Sequence, residues 1–352
     1  MPHFIPLFPT QLQSKHGRSE VKSGIPPVPE RAVVGFLPTV PRLGCPSSTR
    51  CECVKISLVV NPSSADAELR QGVAALREGG HLVKPRLTFE RRDARRFAAE
   101  DARDGMDLLV AGGGDGTVSE VAAGLLDYLT EAGGSDRRAP RLGIVPLGTG
   151  NDFACAQGIP ETPSDALATA VISPGRPVDI GLVNGRAFVN VSTGGFGAEA
   201  TEDTGEAAKR VLGPLAYVVT GVQKFAALDP TEARFTADDG EVLYEGCFLL
   251  FAVGNSRRTG GGNWLTPRAE LDDGLLDVCI VRDIPRIELL ALAPALRSGA
   301  HVSDPAVIYR QVRTLRVDAE CELSVNADGE PLDGCSFVYE LSPHRLEMAL
   351  PE

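Results

Sequence analysis

Two glycine-rich segments carry the clearest chemistry in this chain. The first is Gly112-Gly113-Gly114-Asp115-Gly116-Thr117, entered from the apolar run Met106 to Ala111 and followed by Val118, Val121, Ala122, Leu125, Leu126 and Leu129 at helical spacing. A strand that passes through glycines into a helix opens the crevice where ligands bind in an open α/β sheet. Glycines let backbone N–H groups approach a phosphate, and the helix N-terminus adds a favourable dipole. Thr117 and Glu120 fit a capping box. Asp115 would repel a phosphate unless a cation stands between them, which points to a magnesium-nucleotide. The loop is neither a P-loop nor a dinucleotide fingerprint, because no Gly-x-x-x-x-Gly-Lys is present and Thr117 stands where the third glycine would be. Protein-kinase signatures are absent.

The second segment, Pro146-Leu147-Gly148-Thr149-Gly150-Asn151-Asp152-Phe153-Ala154, repeats that logic with Thr149 as hydroxyl donor and Asp152 as a second acid. A plain helix cap explains Thr149 and Asn151 almost as well. Two further acidic turns follow, Leu271-Asp272-Asp273-Gly274-Leu275 and Asn326-Ala327-Asp328-Gly329-Glu330. By itself the Asp328-Gly329 pair is first of all a hairpin turn. Arg257, Arg258 and Trp264, the only tryptophan, share a glycine-rich loop that reads either as a headgroup contact or as a solvated loop with a half-buried ring.

The elements that must position these residues are readable in outline. Strands are expected at 54–60, 81–87, 106–111 and 141–146, with helices from Ala67 to Glu78, around Ala94 to Ala102 and after each glycine junction. This alternation implies a mostly parallel, three-layer α/β domain. Beyond Asp179 the strands 187–192, 232–237, 243–253, 276–281, 312–317 and 321–326 predominate, with helices at 215–228 and 286–297. We therefore expect an α/β chain of two domains with the active site in the cleft between them. Residues 54–183 form the nucleotide-binding domain, and 184–352 form a β-rich, mostly antiparallel substrate domain whose last residues pack back on the first. Residues 1–53, rich in proline and without periodicity, read as a poorly ordered extension.

Composition narrows the partners. The chain has 352 residues and a formal net charge of -12, from 47 acidic and 35 basic side chains. That balance disfavours nucleic acid and strong electrostatic attachment to anionic lipid. No apolar run is long enough to span a bilayer and no secretory signal opens the chain, so a cytoplasmic location is expected. The eight cysteines include no CxxC pair; they read as free thiols, with Cys247 and Cys279 inside apolar strands.

Taken in order, GGDGT, LGTGNDFA, FVNVSTGGFGAEA, LDDGLLDV and ADGE resemble the soluble bacterial lipid kinases with a diacylglycerol-kinase catalytic domain, relatives of sphingosine and ceramide kinases. The resemblance runs from Val54 to near the C-terminus. It implies an ATP- and Mg(2+)-dependent kinase that phosphorylates a hydroxyl of a diacylglycerol- or phosphatidylglycerol-type lipid during transient contact with a membrane surface. Nucleotide contacts are implied for Asn61, Pro62, Ser63, Ser64, Ala65, Thr88, Gly113, Gly114, Asp115, Gly116, Thr117, Val118, Ser119 and Thr149. It further implies a water-mediated network of Asp115, Asp152 and Asp179 around the catalytic magnesium. A structural cation is implied at Glu270, Asp273 and Leu275, and proton acceptance by Asp328. Ser119 departs from the family's usual Asn, so an altered hydrogen bond is expected there. NAD kinases share GGDGT, so a soluble-alcohol kinase of the same superfold, or a nucleotide- or lipid-binding protein without turnover, stands as the alternative. A homo-oligomer is left open.

Overall fold

The computed structural model describes residues 53–131, 138–195, 230–238, 240–259 and 262–351. They belong to the second of the two compact units into which the chain divides, Glu52–Glu352. The extension at 1–53, apart from Cys53, and the helix expected at 215–228 lie outside the described residues.

The first half alternates strand and helix: β1 (Lys55–Val60), α1 (Ala67–Glu78), β2 (Leu82–Leu87), α2 (Asp93–Arg103), β3 (Leu108–Gly113), α3 (Asp115–Glu131), β4 (Arg141–Pro146), α4 (Asp152–Ala156), α5 (Pro163–Ile172) and β5 (Gly175–Val178). Strands β1 to β4 are parallel in the order β2-β1-β3-β4. β3 is buried throughout, and β1 and β4 are buried except at their first residues. Strands covered on both faces read as continuous apolar runs, which is why they are legible in the sequence. α1 packs with α5 and α2 with α3. The crossovers from β1 to β2 and from β2 to β3 run in opposite directions, so right-handed connections set these pairs on opposite faces. The order reverses between β1 and β3, and their carboxyl ends flank the crevice expected to take a ligand. Asp101 of α2, wholly buried, fastens α2 to the sheet by accepting from Ser57, Lys84 and Arg86.

The second half is antiparallel: β6 (Gly181–Val183), β7 (Arg186–Phe188), β8 (Val191–Gly194), β9 (Thr231–Ala237), β10 (Val242–Gly254), β11 (Leu276–Arg282), α6 (Arg286–Ser298), β12 (Val307–Val312), β13 (Leu315–Ala327) and β14 (Glu330–Leu341). The sheet order is β12-β11-β10-β8-β13-β14-β6-β7, and β9 pairs with both β10 and β13. Since β8 also bridges β10 and β13, these four strands close a ring around Phe235, Phe248 and Phe251. The Phe235 ring meets the other two edge-on at 5.3 Å. The outer face of β10 and β11 packs on Leu289, Leu292 and Leu296 of α6. Finally β15 (Leu346–Ala349) returns to the first sheet, parallel to β4 and antiparallel to β5.

Several expectations need correction. The strand expected at 187–192 is two strands, broken at Val189-Asn190. Those expected at 312–317 and 321–326 are one thirteen-residue strand, β13, preceded by a turn at 313–314. The capping box at Thr117 does not form. α3 already begins at Asp115, the Thr117 N–H bonds Gly114, and the Glu120 carboxylate accepts from the Arg92 N–H. Cys279 is buried, but Cys247 is exposed along with Cys53, Cys155, Cys321 and Cys335. Among the described residues no helix is long and apolar enough to cross a membrane.

Candidate active site

The two glycine junctions lie side by side at the carboxyl edge of the parallel sheet. A Cβ on Gly148 would stand 2.4 Å from the Gly114 Cα, so the turns after β3 and β4 abut backbone to backbone. Asp115 closes the pair: its Oδ2 accepts from the Asp152 N–H at 3.0 Å and its Oδ1 from the Phe153 N–H at 2.9 Å. One carboxylate thus caps the N-terminus of α4 from the first turn of α3. Asp152, largely buried, accepts from the Gly262 N–H at 2.8 Å. The Oδ2 atoms of Asp115 and Asp152 both lie within 4 Å of the Cβ position of Gly150, which brings the two acids together beside an exposed glycine turn.

The remaining expected nucleotide contacts line the same edge. Asn61 to Ala65 follow β1 as a short turn, where the Asn61 Oδ1 accepts from the Ser63 N–H and hydroxyl. Thr88 follows β2, its N–H bonded to the Val60 carbonyl at 3.1 Å. Gly116 has open space where a Cβ would be, and Thr149 is exposed. Val118 is buried in the core and contributes packing.

Asp328 reaches this edge from the other sheet. With Gly329 it forms the two-residue turn between β13 and β14, both residues at positive φ, 49° and 92°, as the Asp-Gly pair predicts. Its carboxylate fills a cradle of backbone amides at the break between β7 and β8. It accepts from Val189 at 2.6 Å, from Asn190 at 3.1 Å and from Val191 at 3.1 Å. Ser119, in the first turns of α3, adjoins the same carboxylate and helps pull its pKa down. Burial pushes the Asp328 carboxyl up to about 6, against the pull of those donors. It remains ionised at neutral pH and is more basic than an ordinary aspartate. Beside it Glu330 pairs with Arg186 at 2.6 Å and with Arg91 at 2.7 Å, so the turn is also fastened to the loop after β2.

Asp179 stands with the acidic turn. It accepts from Arg345 at 2.6 Å and from the Gly274 N–H at 2.9 Å, while Arg345 also bonds the Asp272 carbonyl. Partial burial, with the negative charge of Glu270 and Asp179, holds the Asp273 carboxyl above its ordinary range. Its Oδ1 accepts from the Leu275 N–H at 3.0 Å. An acid crowded by acids is a setting that a hard cation relieves. Among the described residues no three His, Cys, Asp or Glu side chains converge as direct ligands, at the acidic turn or near the glycine turns. Asp115 and Asp152, each partly satisfied by amides, fit a cation met through water.

Some of these parts have no local sequence signal: Arg345, the amides of Val189 to Val191, and Asn255, whose buried side chain donates to the carbonyls of Asp179 and Val189 at 2.8 Å. Only an Asn ending an apolar strand hints at the last. Arg258 stacks on the half-buried Trp264 at 5.5 Å and contacts the Cys155 thiol, so that loop packs against α4.

A parallel sheet with two glycine junctions, faced by a cradled carboxylate from a closed antiparallel sheet, is the architecture of a two-domain phosphotransferase. Residues 55–183 match the diacylglycerol kinase catalytic domain, and residues 190–350 match the YegS C-terminal NAD kinase beta sandwich-like domain. A "Probable lipid kinase YegS-like" of Pseudomonas aeruginosa strain UCBPP-PA14 is 42% identical over 298 residues, covering 84% of this chain and 94% of that protein. Its namesake from Xanthomonas oryzae pv. oryzae strain MAFF 311018 is 40% identical over 300 residues, covering 84% and 95%. The crystal structure of a "putative diacylglycerol kinase" from Bacillus anthracis superposes with a TM-score of 0.71 at 25% identity, covering 86% of this chain and 99% of that one. The chain belongs to the YegS-like lipid kinase family, with a diacylglycerol kinase catalytic domain, and is a kinase that phosphorylates a lipid alcohol.

Proposed function

We propose that the chain transfers the γ-phosphoryl group of ATP, with magnesium, to a free hydroxyl of a glycerolipid of the diacylglycerol or phosphatidylglycerol type. The observation that carries this reading is the Asp328 carboxylate. Its pKa is raised to about 6 beside Ser119 of the glycine-loop helix, and three amides at the break between β7 and β8 hold it. Phosphoryl transfer needs positioning, charge neutralisation and a group to take the hydroxyl proton. In our reading the turns at Asn61 to Ala65, Gly113 to Ser119 and Thr149 hold the nucleotide, with N–H groups and helix N-termini facing its phosphates. Bound magnesium would neutralise phosphate charge, held through water by Asp115 and Asp152. Asp179 would join that water-mediated network, and Glu270, Asp273 and Leu275 would hold a structural cation in the acidic turn. Asp328 accepts the proton of the attacking hydroxyl.

A lipid substrate calls for peripheral contact with a membrane. Phe89, 79% exposed, lies in the loop after β2. An aromatic ring so exposed suits the headgroup region of a bilayer.

The test is incubation with γ-labelled ATP, magnesium and a panel of diacylglycerol, phosphatidylglycerol, a sphingoid base and NAD. Label is expected in a glycerolipid. Label in NAD alone, or in nothing while nucleotide still binds, would overturn the reading.

A further inference from the structure

The amides that hold Asp328 have a support of their own. Behind the Val189-Asn190-Val191 stretch, the N–H groups of Asn255 and Ser256 both donate to the Asn190 carbonyl at 3.0 Å. The Asn255 side chain donates to the Val189 carbonyl at 2.8 Å. Each of these carbonyls shares a planar peptide unit with an N–H aimed at Asp328: the Val189 carbonyl with the Asn190 N–H, the Asn190 carbonyl with the Val191 N–H. Fixing the carbonyl fixes the direction of the N–H, and hydrogen bonds in series polarise one another. The second amide hydrogen of Asn255 goes to the Asp179 carbonyl at 2.8 Å, so the side chain is tied on both sides and wholly buried.

We infer that Asn255 is a positioning residue for the transfer reaction, aiming the amide cradle that holds the Asp328 carboxylate toward the glycine loop. This rests on the reading of Asp328 as proton acceptor. The cradle lies where the expected strand 187–192 is broken, so its N–H groups are released from the ladder and need a fixed direction from elsewhere. Asn255, at the end of β10, supplies it. The groups that face Asp328 are the Ser119 hydroxyl from α3 and the three amides. Glu330, with Arg186 and Arg91, adjoins it, and Asp179 with Arg345 lies on the far side of Asn255.

Asn255→Ala removes both donors, and the uncharged, similarly sized Asn255→Leu removes them without leaving a cavity. If the alanine variant fails to fold, the leucine variant carries the test alone. With ATP, magnesium and diacylglycerol in detergent micelles, kcat should fall roughly 10- to 100-fold while KM for ATP stays within about twofold. Amide hydrogen exchange, read by mass spectrometry, should quicken in the peptide covering 188–192 and stay unchanged in β1 to β4. Combined with Asp328→Asn, the Asn255 substitution should cause no further loss of kcat. An equal loss in both backgrounds, or a fall in kcat with unaltered exchange at 188–192, would overturn the inference. If instead Asp328→Asn alone keeps full turnover, the role of Asp328 has failed, and the exchange result still decides whether Asn255 sets the cradle.

Discussion

Removing the Ser119 hydroxyl should move the acid limb of the rate profile upward without touching the alkaline plateau. Asp328 titrates at about 6 because burial raises it while Ser119 and three amides pull it down. A neighbouring hydroxyl favours the ionised form over the neutral one, so Ser119→Ala withdraws a stabilising neighbour from the carboxylate, and its pKa rises. A hydrogen bond to a charged group is worth about 1.5–3 kcal/mol, and water replacing the hydroxyl recovers part of it. At about 1.4 kcal/mol per unit, a rise of about one unit is expected. Activity requires the ionised base, so it is lost as pH falls through the new value, about 7. At pH 6.5 the ionised share drops from about three quarters to about one quarter, a roughly threefold loss of kcat, and at pH 8.5 the loss vanishes. The assay is kcat against pH from 5 to 9 at saturating ATP and lipid. Ser119→Asn, which restores a donor, should bring the limb back down. An equal loss at every pH, or a limb unmoved from the wild type, would refute the link from Ser119 to Asp328.

Three further outcomes follow from the same geometry. Gly148→Ala places a methyl 2.4 Å from the Gly114 Cα. Forcing the junctions apart should cost roughly 1–3 kcal/mol in thermal unfolding and raise KM for ATP; an unchanged KM would separate the two turns from nucleotide binding. Millimolar magnesium or calcium should raise the Tm of the wild type, the increment following RT ln(1 + [L]/Kd), and Asp273→Asn should abolish that rise. A persisting increment would put the cation elsewhere. Phe89→Ser should lower turnover on phosphatidylglycerol-containing vesicles several-fold, with little change on short-chain lipid in detergent; equal loss on both would mean the ring serves the fold instead.

Strands β1, β3 and β4 of the first sheet are legible because they are buried on both faces and appear as apolar runs punctuated by glycine or proline. The Asp328-Gly329 hairpin was equally legible from its turn chemistry. Long-range relations were not. β13 alternates exposed and buried residues and carries a register shift between Asp318 and Leu323, so its polar middle reads as a gap between two strands. Asp115 was readable as an acid in a phosphate loop. Its bonds to Asp152 and Phe153, 37 and 38 residues away, have no local signature. The same holds for Arg345, which meets Asp179 across 166 residues once β15 has returned to the first sheet. The partners that hold Asp179 in place, the Gly274 N–H, Arg345 and the Asn255 side chain, are likewise far away in the sequence.

The central claim is that Asp328 takes the proton of a lipid hydroxyl while the glycine junctions hold ATP. Turnover of labelled ATP into phosphorylated lipid by Asp328→Asn, measured beside its nucleotide affinity, tests it most directly. A general base is worth about 10²–10⁴ in rate, so kcat should fall by that order, with Kd for ATP within about twofold of the wild type. Turnover near the wild-type rate, or a loss of ATP binding as large as the loss of turnover, would contradict it.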